Sequence, residues 1–238
     1  MTNRWLPALI SLSILAAGCS KEPSTTAPAT PPAASAQQAV ATHAAADYEA
    51  VVQQIYVAYF GRPADAAGLN RNEGLLAASA APVALDDMSN AYASNAGLRS
   101  VVDSFNTSEE SQALYVGDNR AFISSVYANL FNRAPDAAGL AYWSKAIDDG
   151  VLTRANAAIS IMAGAQGSDK ATVAAKTTVA RNFTNALDTS AKAAAYSGMA
   201  ANASVRSMLG TVSGSTDPAA FQGTVSATVA KLAPAPKS

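Results

Sequence analysis

Residues 127–140 read Tyr-Ala-Asn-Leu-Phe-Asn-Arg-Ala-Pro-Asp-Ala-Ala-Gly-Leu, and residues 56–69 read Tyr-Val-Ala-Tyr-Phe-Gly-Arg-Pro-Ala-Asp-Ala-Ala-Gly-Leu. The two stretches lie 71 residues apart and carry the same signals in the same order. An aromatic pair closes one helix, and Pro63 or Pro135 blocks its continuation. Asp65 or Asp136 then stands where an N-cap belongs, ready to bond free amides of the next helix. Gly68 and Gly139 fall one turn into that helix, where a missing side chain lets two helices approach closely. Arg62 and Arg133 are expected to bond the cap carboxylate or the carbonyls at the helix end. Each stretch therefore reads as helix, tight turn, Asp cap, helix.

Working outward, Tyr48, Val51, Val52, Ile55 and Tyr59 recur at three- and four-residue intervals, the mark of an amphipathic helix ended at Gly61-Arg62-Pro63. Similar periodicity predicts helices over 84–94, 97–105, 107–115, 118–132, 136–149, 153–165, 169–188, 199–209 and 217–231. Asp217-Pro218 fits the N-cap and first position of the last of these. No segment alternates with β-branched residues as a strand does. The fold class is all-α, a helical bundle with two related helix-corner-helix units forming an internal repeat. Half of the 238 residues are hydrophobic, and alanine carries much of that count, so the core is expected to rely on close helix packing rather than on large side chains.

The second stretch, completed by Tyr142-Trp143, resembles the hallmark of the domain-of-unknown-function family 4214, roughly F-x-R-x-P-D-x-x-G-L-x-Y-W. Residues 156–165 and 179–187 resemble the family's continuation, and the resemblance covers roughly 48–190. It implies a helical domain of exported bacterial proteins, in a family whose biochemical role is unassigned. The first stretch departs from the pattern, with Asn70-Arg71-Asn72 where the second has Ala141-Tyr142-Trp143.

The N-terminal part reads as an address. Arg4 precedes an apolar run from Leu6 to Ala17, too short for the roughly 20-residue helix that spans a bilayer but suited to a signal peptide. Leu15-Ala16-Ala17-Gly18-Cys19 resembles a lipobox, with Ala16 where leucine is common. An ordinary cleaved leader is the alternative, but acylation of Cys19, the chain's one cysteine, accounts for both that residue and its position. The resemblance implies a signal peptide over 1–19, a palmitate-type lipid anchor in a membrane, and, from Ser20, the outer membrane of the cell envelope. Residues 20–46 are rich in Pro, Ala and Ser and read as a disordered tether. The helical domain is expected over 47–232, with a disordered tail at 233–238.

Candidate chemistry is sparse. His43, the single histidine, falls in the tether, so triads and His/Cys metal sites lack their parts in the folded domain, and no cofactor or metal is expected. With 16 basic and 17 acidic residues evenly mixed, nucleic acid is not an expected partner. Glu109-Glu110 and Asp148-Asp149 are adjacent acids that diverge by about 100° on a helix. Asp118-Asn119 lacks the spacing of a calcium loop and reads as an N-cap. Tyr127, Tyr142 and Trp143 are candidate binding residues, as an aromatic platform or else as core. The segment 190–209 reads as a partner-binding face or as the bundle's closing layer. The expected function is a non-catalytic surface module binding glycan, cell wall or another surface protein. A carboxylate-dependent hydrolase of an envelope polysaccharide and a structural spacer are the alternatives.

Overall fold

The computed structural model describes residues 43–232, so Cys19, the leader and both ends of the chain lie outside the described residues. A short 3-10 turn, Ala45–Tyr48, leads into twelve helices. The first half holds α1 (Glu49–Phe60), α2 (Ala66–Ala78), α3 (Leu85–Ala91), α4 (Ala96–Thr107) and α5 (Glu109–Leu114). The second holds α6 (Asn119–Phe131), α7 (Ala137–Asp148), α8 (Arg154–Ala163) and α9 (Gly167–Ala186), closed by α10 (Ser190–Ala195), α11 (Gly198–Leu209) and α12 (Gln222–Lys231). No strand occurs among the described residues, and the architecture is an all-α bundle with two related helix-corner-helix units. None of these helices is long and apolar enough to cross a membrane.

The first helix is not amphipathic, contrary to the reading of its sequence. It is buried on every side, packed between α9, α6, α2 and α8, because apolar residues continue round it from Val51 through Phe60. Its one buried amide is satisfied in a closed ring. Gln53 Nε2 donates to Thr184 Oγ1 at 2.8 Å, its Oε1 accepts from Ala64 N at 3.0 Å, and the Thr184 hydroxyl donates to the Ala64 carbonyl at 2.7 Å. This ring ties α1, the first corner and α9 together without an orphaned polar group.

Alanine does pack the centre, with Ala58, Ala157, Ala158 and Ala180 inaccessible. The expectation of a core poor in large side chains is nevertheless wrong, since Tyr48, Tyr59, Phe122 and Phe183 are fully buried. Tyr56, Phe60 and Phe105 form an aromatic cluster with edge-on and tilted rings, the orientations their quadrupoles favour. Buried hydroxyls find carbonyls: Tyr48 donates to Ala81 at 2.5 Å, and Tyr59 donates to Ala155.

Caps mark most helix starts. Asn95, Ser108, Asp118, Thr153 and Thr189 each accept an amide of the first turn, so Asp118 is a cap as its sequence position suggests. The last helix differs from expectation. Asp217 Oδ1 accepts from Ala219 N at 2.9 Å and its carbonyl from Phe221 N at 3.0 Å, a tight turn that uses up the Asp-Pro pair. Helix α12 therefore begins at Gln222, with Phe221 as its N-cap. The short α10 has no counterpart among the sequence-based expectations.

Candidate functional site: one covered corner and one open corner

The two corners are built alike. Helix α1 ends on Gly61 at φ 63° and α6 on Asn132 at φ 55°, both left-handed, which turns the chain out of the helix. Asp65 Oδ1 accepts from Gly68 N at 2.8 Å, and Asp136 Oδ1 from Gly139 N at 2.7 Å. The latter bond holds the Asp136 carboxyl below its ordinary pKa.

The arginines do not bond the cap carboxylates. Arg62 grips Glu110 of α5 with two bonds, Nε to Oε1 at 2.8 Å and Nη2 to Oε2 at 2.6 Å, and its Nη1 donates to the Pro63 carbonyl at 3.0 Å. Arg133 grips Asp169 of α9 in the same fork, 3.0 and 2.5 Å, with Nη1 on the Ala134 carbonyl at 3.0 Å. A guanidinium fork matches a carboxylate better than a cap already committed to backbone amides. Each guanidinium also lies over the aromatic pair that closes its helix: Arg62 over Tyr56 and Phe60 at 5.4 and 5.2 Å, Arg133 over Tyr127 and Phe131 at 5.3 and 5.6 Å.

What differs is the cover. Gly61, Arg62, Pro63 and Ala64 are all buried, whereas Asn132, Arg133 and Ala134 are exposed. The α10–α11 segment makes the difference. Tyr196 lays a third ring 5.5 Å from Arg62, donates its hydroxyl to the Pro63 carbonyl at 2.8 Å and accepts from Arg62 Nη1 at 3.2 Å. Arg206 of α11 donates Nε to the Phe60 carbonyl at 2.6 Å and Nη2 to Glu110 Oε1 at 3.2 Å, capping the end of α1. Burial opposes charge on Arg62, yet Glu110 and Tyr196 together outweigh it and hold the guanidinium above its ordinary pKa. Burial pushes the Tyr196 phenol up as well, against the pull of Arg62. Removing one partner of such a buried pair costs about 3–5 kcal/mol. The Arg133 side chain is 45% exposed, and an exposed pair of this kind contributes about 0–1 kcal/mol.

At the open corner, Tyr127 is buried, Trp143 is half-buried and Tyr142 is 66% exposed. Trp143 Nε1 donates to the Tyr127 hydroxyl at 3.2 Å. The Tyr142 and Trp143 rings meet edge to face, 5.0 Å apart at 77°. The three aromatic candidates are thus brought together, with Tyr142 and Trp143 edge to face rather than coplanar. Helix α7 keeps Leu140, Trp143 and Ile147 half-buried, while the equivalent Leu69, Asn72 and Leu76 of α2 are buried under the N-terminal turn and α4.

Several residues that matter here are not marked by the sequence for the part they play: Glu110, singled out only as half of an acidic pair, Tyr196 and Arg206 at the first corner, and Lys176. The amine of Lys176, fully buried on α9, donates to Asn132 Oδ1 at 2.6 Å and to the Asn129 carbonyl, closing the end of α6 as Arg206 closes α1. Burial lowers its pKa to about 8. Between α5 and α11 runs a groove of about 520 Å³ lined by Glu109, Leu114, Met199 and Arg206.

Residues 102–168 match the model of the domain of unknown function DUF4214. The matched segment begins within α4 and ends at the start of α9, so it takes in the open corner and leaves the covered one outside. No curated protein and no solved structure matches the chain.

Proposed function

We propose that the protein is a non-catalytic interaction module of the cell envelope, held at a membrane through acylated Cys19, whose contact face is the open corner between α6 and α7. One observation carries this reading: the same corner chemistry is buried in one unit and exposed in the other. An aromatic-arginine corner that the fold completes once within the chain, and leaves unfinished once, is a surface suited to completion from outside. The edge-to-face arrangement of Tyr142 and Trp143 favours a protein partner over a stacked sugar ring. Against the hydrolase reading, Asp65, Asp118 and Asp136 are bound to backbone amides, and Glu110 is bonded by Arg62 and Arg206. A photoreactive amino acid at position 142 tests the reading in the cell. Cross-links are expected from position 142 and not from a control at Leu75, which is 43% exposed on α2. Equal labelling from both sites would defeat it.

We also read the chain as two copies of one four-helix unit. Helices α6, α7, α8 and α9 each begin within two residues of the positions 71 beyond the starts of α1, α2, α3 and α4. Equivalent residues even face each other: Ser89 Oγ lies 3.1 Å from Ser160 Oγ, and Asn129 Nδ2 donates to the Ala58 carbonyl at 3.1 Å. In this reading α10 and α11 are the added layer that closes the first unit.

A further inference from the structure

The covered corner shows which chemistry completes such a site. Its closing group is a tyrosine, Tyr196, whose ring makes the third aromatic contact with the arginine and whose hydroxyl binds both Nη1 and the carbonyl of the next residue. At the open corner the matching atoms stand ready. Arg133 has two aromatic neighbours instead of three, and the Ala134 carbonyl accepts from Arg133 Nη1 as the Pro63 carbonyl does from Arg62. Tyr142 lies on the same face and is the one exposed tyrosine among the described residues. Arg133, Tyr127, Trp143 and Tyr142 run in an unbroken row, each in contact with the next. The face therefore holds an unfilled seat for a tyrosine at one end and an unseated tyrosine at the other. Such a surface is self-complementary about a twofold axis through the middle of the row.

We propose that the occupant of the open corner is a second copy of this chain, bound reciprocally, with Tyr142 of each copy seated on Arg133 and the Ala134 carbonyl of the other. This rests on the reading of that corner as the contact face. Each copy then completes its partner's corner as Tyr196 completes the first corner within one chain. The half-buried row Leu140, Trp143 and Ile147 on α7 is withdrawn from water by the same contact.

The test uses two differently tagged full-length chains purified in mild detergent, with self-association followed by co-purification and by sedimentation. The wild-type chains are expected to pair. Tyr142→Ala alone and Arg133→Ala alone should each weaken pairing by at least about tenfold, since each removes both reciprocal contacts. A mixture of the two variants should recover part of the pairing. Tyr142 of the Arg133→Ala chain still meets Arg133 of the Tyr142→Ala chain, so one of the two contacts survives. Loss of fold gives no such recovery, and circular dichroism checks that both variants stay helical. A monomeric wild type, pairing insensitive to either variant, or no recovery in the mixture overturns the proposal. A monomer that still cross-links to another protein from position 142 overturns the self-pairing and leaves the contact face standing. A monomer without cross-links removes both.

Discussion

At the scale of single residues, two glycines in matching places meet different demands. A Cβ on Gly68 would come 2.1 Å from the Tyr56 hydroxyl, and Tyr56 is pinned among Phe60, Phe105 and Arg62. On Gly139 the nearest atoms lie at 3.4 Å or more, an ordinary contact. Gly68→Ala is therefore expected to destabilise by about 1–3 kcal/mol through overpacking. Gly139→Ala should be neutral or stabilising by up to about 1 kcal/mol, because alanine favours helix. Urea denaturation of the two variants separates these outcomes, and equal effects would refute the account. Lys176 supplies a pH dependence. Below about pH 8 its amine is charged in both folded and unfolded chains. Between about 8 and the ordinary 10.5 the unfolded chain binds a proton that the folded one releases, so stability rises with pH. Buried Tyr56, raised to about 12, acts oppositely above pH 10 by favouring the protonated folded form. The urea midpoint should climb from about pH 8 to about pH 9.5 in the wild type and less in Lys176→Met. A climb of the same size in both would show that another group is responsible.

At the scale of elements, local rules account for where helices begin better than for how they pack. Asp65 is a cap in a half-buried position, and its replacement by alanine should cost about 0.5–2 kcal/mol in chemical denaturation. An unchanged stability would mean that the corner is held by Arg62 and Tyr196 alone. Helix α1 shows the limit of periodic reading. Its apolar residues satisfy a helical period, yet they also fill the other faces, and the helix is central instead of peripheral. The segment 190–209 is the closing layer, because Val205, Met208 and Leu209 of α11 are buried and Tyr196 covers Arg62. Met199, 84% exposed at the edge of the α5–α11 groove, is the large apolar side chain of that layer left mostly to solvent.

At the scale of the whole molecule, the proposed membrane address and the proposed contact face make separate demands. If Cys19 carries the lipid, Cys19→Ala should move the protein out of the membrane fraction while leaving its helical content unchanged. Retention of the variant in membranes would show that a different feature holds it there. The folded part is assembled so that the first unit is sealed by α10 and α11 and the second is not. That asymmetry, more than any single residue, is what the proposed interaction uses.

The two corners could be read from the chain because their decisive bonds are local. A left-handed residue, a proline and an Asp that bonds the amide three residues on are all fixed within one turn of backbone. The all-α class was legible for the same reason, since helical periodicity and caps act over a few residues. The partners of the arginines were not. Arg62 finds Glu110 from 48 residues away and Tyr196 from 134, and nothing in the local sequence marks either one. Lys176 is equally silent: the position 71 residues earlier holds Phe105, which packs against Tyr56 where Lys176 bonds the end of α6. Which corner is covered follows from where α10 and α11 come to rest, and that is decided by competition among apolar faces for burial. The sequence alone placed the corners, and the tertiary packing alone determined that one is core and the other surface.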